Sequence, residues 1–255
     1  MRCFALGLVL SLIAAIAQAP DTPATPAAPG IQDALTQLEH HDPQAALATL
    51  TKILTAKPDD VSANLLAAAA EIALYDGPHA VTYAERARQL DPDNWKVHTT
   101  LVTAYAMAGD TQKRDAERAT LRTLHESTTA ADARASSGFL LDLFKVKDYR
   151  VEAVEYFKPL GKFHLYYRFI LKDADGNRIW QISVVSDDFN QASWARAFPQ
   201  QAADGQRQFQ ITGESPGGSS HVDYTTFSGS PSYDFARSRV VAILTAQTEP
   251  FPAAK

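Results

Sequence analysis

The chain has 255 residues, 45% of them hydrophobic and 21% charged, enough for a packed core and for one large or two ordinary domains. A formal net charge of −5 runs against nucleic-acid binding, which calls for a basic face. The one cysteine, Cys3, sits in the N-terminal segment, so beyond that segment thiol catalysis and cysteine–zinc sites are excluded.

Residues 1–19 read as a secretory signal. Arg2 supplies the positive start, and an apolar run from Phe4 to Ile16 follows, broken only by Gly7 and Ser11. Ala15-Ile16-Ala17 gives a small-x-small cleavage pattern, and Pro20 disfavours a cut after Ala19, so residues 1–17 are expected to be removed. The run is shorter than the roughly 20 residues of a membrane span, and no stable span is expected after cleavage. Residues 18–30 are Pro/Ala/Thr-rich and read as an extended linker.

A periodic stretch follows. Asp42, Asp76 and Asp110 lie 34 residues apart, and Ala46/Ala80 and Pro58/Pro92 keep the same step. A fixed step of about 34 residues is the signature of a stacked helical hairpin. Each aspartate can cap the free amides of a helix, with Pro43 or Pro78 tolerated in its first turn. The alanines fall early in that helix, where a methyl permits close approach. Pro58 and Pro92 end it, and Asp59-Asp60 and Asp93-Asn94 can cap the next. The first helix, residues 31–40, puts Ile31, Leu35 and Leu38 on one face.

Three runs carry a resemblance: D-P-Q-A-A-L-A-T-L with K-P-D-D over residues 42–60, D-G-P-H-A-V-T-Y-A-E-R-A-R-Q-L-D-P-D-N over 76–94, and L-V-T-A-Y-A-M-A-G-D over 101–110. Residues 31–125 resemble the tetratricopeptide repeat family. The family's tryptophan position holds Asn64 and His98, and the third unit has Arg114 where a small residue belongs and Glu126 where a proline would stand. That unit reads as a decayed or terminal repeat, which a solenoid needs at its end. The resemblance implies a concave groove lined by Leu65, Ala69, Ile72 and Ala73 in the middle unit and by Lys96, Thr99, Thr103, Ala106 and Met107 in the third. Such a groove is apolar to weakly polar, and it lacks the Lys/Asn/Arg set by which some family members clamp a terminal carboxylate. It could hold a peptide or protein partner, or pack against the rest of this chain; both readings stay open.

Thr111 to Leu124 continues helical, and a short further helix is expected over 130–135. The composition then shifts: 11 of the 12 Phe and six of the nine Tyr lie at or beyond Phe139. Alternating patterns predict strands over 139–147, 150–157, 163–172, 177–186, 207–213 and 221–227, with a helix over 187–197. Asp173-Ala174-Asp175-Gly176-Asn177 reads as a hairpin turn. A calcium loop starting at Asp173 would need Gly and Glu where Arg178 and Val184 stand. Tyr233, Ala236, Val240, Val241 and Leu244 make the apolar stripe of a last helix expected on one sheet face. The expected fold is therefore α+β in two domains: a tetratricopeptide-like helical array over 31–137, an antiparallel sheet with a C-terminal helix over 138–247, and a tail over 248–255.

No catalytic set stands out. There is no Gly-x-Ser-x-Gly elbow, no His-Glu-x-x-His and no phosphate loop. No cofactor or metal is implied, and His221 with Asp223, or with His164 and Asp187/Asp188, is only a loose candidate that geometry must bring together. Tyr166, Tyr167, Trp180 and Trp194 are binding material or cross-strand packing. The leading expectation is an exported, periplasmic or secreted, non-enzymatic interaction or scaffold protein of the cell envelope. Its groove would hold a peptide or protein partner, and the β-domain would offer a second surface. The alternative is a small-molecule-binding or hydrolytic β-domain built on His164, Asp187 and His221, with the repeats as a docking module. The sequence carries no sign of an oligomeric state.

Overall fold

The computed structural model describes residues 30–129, 131–157, 164–173, 175–186, 188–215, 221–229 and 232–247. The expected signal segment, the linker as far as residue 29 and the tail over 248–255 lie outside them. Helices come first, then an antiparallel sheet and a C-terminal helix. Among the described residues no helix is long and apolar enough to cross a membrane.

The helical part runs α1 (Ile31–Glu39), α2 (Pro43–Ala56), α3 (Val61–Ala73), α4 (Gly77–Leu90), α5 (Trp95–Ala108), α6 (Thr111–Ser127) and the short α7 (Ala131–Ala135). The phased aspartates open helices. Asp42 accepts a hydrogen bond from the Ala45 amide at 3.0 Å, Asp76 from the His79 amide at 3.0 Å, and Asp110 from the Lys113 amide at 3.0 Å. Asp60 and Asn94 do the same for α3 and α5. Each such bond satisfies an amide that the helix itself leaves free. The residue before each phased cap is left-handed: His41 (φ 61°), Tyr75 (φ 64°) and Gly109 (φ 77°). Only the third has the residue type that adopts this backbone without steric cost.

The hairpins pack through small residues. Ala34, Ala46, Ala63, Ala67 and Ala70 are fully buried or nearly so among Leu35, Leu38, Leu50 and Leu66. Ala84 and Ala87 meet Leu65, Val97, Leu101 and Tyr105 in the next layer. Burying each of these leucines contributes about 1.5–3 kcal/mol. Gly77, at the start of α4, lies so close to α5 that a Cβ there would stand 2.6 Å from the Ala108 nitrogen.

A polar network ties α4, α5 and α6. Arg88 donates to Glu117 at 2.9 Å and to Glu85 at 2.7 Å, and the Tyr105 hydroxyl donates to Glu85. Buried His98 reaches Glu117 with Nδ1 at 2.6 Å and the Pro92 carbonyl with Nε2 at 2.8 Å. Two acceptors on one ring favour the imidazolium. Burial opposes that charge, but the Glu117 and Pro92 hydrogen bonds and the Glu117 charge outweigh it, and the His98 pKa is raised.

The second part contains β1 (Gly138–Val146), β2 (Tyr149–Tyr156), β3 (His164–Lys172), β4 (Arg178–Ser186), α8 (Asp188–Ala197), α9 (Pro199–Ala203), β5 (Arg207–Glu214), β6 (His221–Gly229) and α10 (Tyr233–Ala246). The strand order follows the sequence, β1-β2-β3-β4-β5-β6, and β2 to β6 pair antiparallel. The β3–β4 turn is the expected hairpin. The Asn177 amide donates to Asp173 at 2.8 Å, and Gly176 takes φ 83°. Helix α9 had no counterpart in the sequence reading, because its cap position holds Phe198, which makes no side-chain cap bond.

On β3, Leu165, Tyr167, Phe169 and Leu171 are buried, while Tyr166, Arg168 and Ile170 are half-buried. Tyr233 of α10 stacks on Phe169 at 6.2 Å and meets Tyr167 edge-on at 5.7 Å, and Phe235 meets Phe209 at 5.3 Å. Ala236, Val240 and Leu244 continue the buried stripe of α10, and Val241 stands at its half-buried margin. Trp180 is a core residue, 1% exposed.

The chain divides into two compact units at Ser136/Ser137, except that Leu140–Leu143 of β1 group with the helices.

Candidate functional site

The groove positions expected from the sequence fall into three sets. Leu65 belongs to the core between α3, α4 and α5, against Ala84, Val97 and Leu101. A charge there attacks the fold, not a binding surface. Ala69 and Thr99 are buried, and the Thr99 hydroxyl donates to the Trp95 carbonyl at 3.0 Å within its own helix. Ala73, Lys96, Ala106 and Met107 remain half-buried and reach the surface.

Ile72 and Thr103, two further expected groove positions, both meet the chain's own residues Leu140–Leu143. Leu140 and Leu143 pack against Ile72 of α3, Ala80 of α4 and Ala104 of α5, with Tyr75, Val81 and Met107 at the margin. The Thr103 hydroxyl donates to the Leu140 carbonyl at 2.7 Å. The helices thus hold an extended stretch of chain by apolar contacts on two leucines and one side-chain hydrogen bond to its backbone. Small residues make this possible, since Ala80 and Ala104 leave room for a leucine between helices. The sequence pattern assigns Leu140 and Leu143 to a strand, which they form, without announcing their packing on the helices. Their signal was the run Phe139-Leu140-Leu141, which does not alternate and so has both faces buried.

A second constellation was missed altogether. Glu71, near the end of α3, and Asp76 and His79, at the start of α4, each offer one ligand-type atom, all within 4.8 Å of one another. His79 Nδ1 lies 2.8 Å from Asp76 Oδ2. Burial raises the Glu71 pKa, the Asp76 charge adds to that, and His79 opposes it. The hydrogen bond between Asp76 and His79 lowers the carboxyl and raises the imidazole. In sequence, Asp76 was absorbed by its capping role. The usable signal was a carboxylate five residues before that cap and an imidazole three after it.

Of the alternative β-domain site, Asp187 and the side chains of His164 and His221 lie outside the described residues. Within the sheet, Lys172 donates to buried Glu152 at 2.6 Å, and among the described residues Glu152 Oε2 has no hydrogen-bond donor. Burial raises the Glu152 pKa against the pull of Lys172.

No protein-family model matches the chain, and no curated protein matches it.

Proposed function

We propose that this is an exported, non-enzymatic interaction protein whose tetratricopeptide-like helical array binds an extended peptide segment of a partner in the groove between α3 and α5, with the β-rich part as a second surface. One observation carries the reading: the groove already accommodates an extended apolar stretch, Leu140–Leu143, through Ile72, Ala104 and the Thr103–Leu140 hydrogen bond. Those contacts define the ligand chemistry. With Leu140 and Leu143 seated there, the partner meets the groove beside them and supplies small or branched apolar side chains of the same kind. Half-buried Ala73, Lys96 and Met107 extend the same surface toward solvent, where the partner's flanks would lie. Export rests on the Arg2 and Phe4–Ile16 pattern of the N-terminal segment. Two surfaces on one chain suit an assembly role through effective concentration.

The test is capture from envelope extract by the full chain and by Lys96→Glu, with melting curves for both. The proposal expects a partner held by the parent chain and lost, at unchanged melting temperature, from the variant. Equal capture by both would remove the groove from the interaction.

A further inference from the structure

We propose that Glu71, Asp76 and His79 form a binding site for a divalent first-row transition-metal ion of the zinc class, which bridges the end of α3 to the first turn of α4. One imidazole and two carboxylates are a donor set suited to such ions, whereas magnesium and calcium favour oxygen alone.

The tandem units provide an internal comparison. The cap aspartate recurs in all three, as Asp42, Asp76 and Asp110, so capping alone explains it. Its two companions do not recur. The position of Glu71 holds Gln37 in the first unit and Tyr105 in the third, and the position of His79 holds Ala45 and Lys113. Gln37 is bonded to Thr49 at 3.0 Å, and Tyr105 to Glu85. Glu71 is 7% exposed, and no described residue donates a hydrogen bond to its carboxylate. It faces a second carboxylate across the α3–α4 turn. In the third unit, Lys113 places a cation 3.7 Å from Asp110. In the middle unit a bound ion would supply that charge.

The geometry permits entry and closure. Asp76 and His79 side chains are 40% and 69% exposed, which leaves a path from solvent. Asp76 Oδ1 serves the cap, and Oδ2 is the atom that meets His79. In the metal-free protein a ring proton lies between them, and the ion replaces it, releasing a proton as histidine ligation requires. Ligand bonds of about 2.0–2.2 Å put neighbouring ligand atoms roughly 3–3.5 Å apart, so a pair at the 4.8 Å limit must close by roughly 1.3–1.8 Å. The exposed Asp76 and His79 side chains are free to turn toward Glu71 to supply this. Water completes the coordination, and the ion fixes the turn that carries left-handed Tyr75.

The experiment is calorimetric titration of the untagged full chain with zinc chloride, with melting curves, on the parent, Glu71→Gln and His79→Ala. Ala45 already stands at the position of His79 in the first unit, and Glu71→Gln relieves a carboxylate repulsion, so both variants are expected to fold. The expected result is one zinc site per chain that raises the melting temperature, with affinity reduced at least about tenfold in each variant. Undiminished zinc affinity in both variants would overturn the assignment. So would absence of binding to the parent up to about 1 mM zinc, or an equal melting shift with magnesium chloride, which would mark a diffuse acidic patch.

Discussion

The helical and sheet parts of this chain build their cores from opposite materials. The helical part uses methyl groups: Ala46, Ala63, Ala67, Ala80, Ala84 and Ala104 let helices approach until leucines fill what remains. The sheet part uses rings: Phe169, Trp180, Phe209 and Tyr233 each fill their own space and meet at centroid distances of 5–7 Å where they pair. Close helix packing leaves little freedom to add an atom, whereas aromatic packing leaves little freedom to lose one. Buried polar groups differ as well. In the helical part His98, Glu117, Arg88 and Glu85 complete one another's bonds, while in the sheet Glu152 keeps one carboxylate oxygen without a donor among the described residues.

That contrast can be broken by subtraction in one part and addition in the other. Phe169→Ala should have the largest effect, a loss of about 3–5 kcal/mol, because it leaves a cavity beneath Tyr233. Denaturant unfolding measures it, and a loss below the range of an ordinary surface change would mean the ring is not a core anchor. Gly77→Ala should come next, at about 1–3 kcal/mol, since the new methyl meets backbone atoms of Met107 and Ala108 that belong to a rigid helix. A neutral outcome would show that α4 and α5 slide apart easily, contrary to methyl-gap packing.

The smallest effect is a pH slope from the His98 network. The folded-state pKa of His98 is raised, so its contribution is fully present below the unfolded value of about 6.5 and is lost as pH rises through the folded value. One proton limits the slope to about 1.4 kcal/mol per pH unit. Stability measured across that window should fall with pH in the parent and fall less in His98→Gln. Parallel curves would show that the imidazolium does not support the network.

The two parts also differ in how far the sequence announces them. Phased aspartates, alanines and prolines state the helix starts of the first part because capping is local, and Asp42, Asp76 and Asp110 each need only the next turn of chain. Alternation and the Asp-Gly turn state the strands around Gly176 for the same reason. What the sequence did not state was long-range. Leu140 and Leu143 are strand residues, as their pattern predicts, but nothing in that pattern announces their packing against Ile72 and Ala104. Leu65 has the phase of a groove residue, yet it turns into the core against Val97. Glu71 joins Asp76 and His79 only after the α3–α4 turn closes, so their spacing in the sequence does not by itself single them out. Helix α9 lacks a capping side chain, and Pro199 in its first turn is a weak local signal by itself.

The proposed role requires the helical groove to receive an extended segment from another protein. Photo-crosslinking from a benzophenone side chain placed at Lys96, in the full chain expressed in its own cells, tests it most directly. The account predicts a crosslink to a partner protein, with the crosslinked partner peptide extended and apolar, and no such product from the same probe placed at Thr120, exposed on α6. Crosslinks confined to this chain's own residues 139–146 would contradict it, and would make the groove a site of internal packing alone.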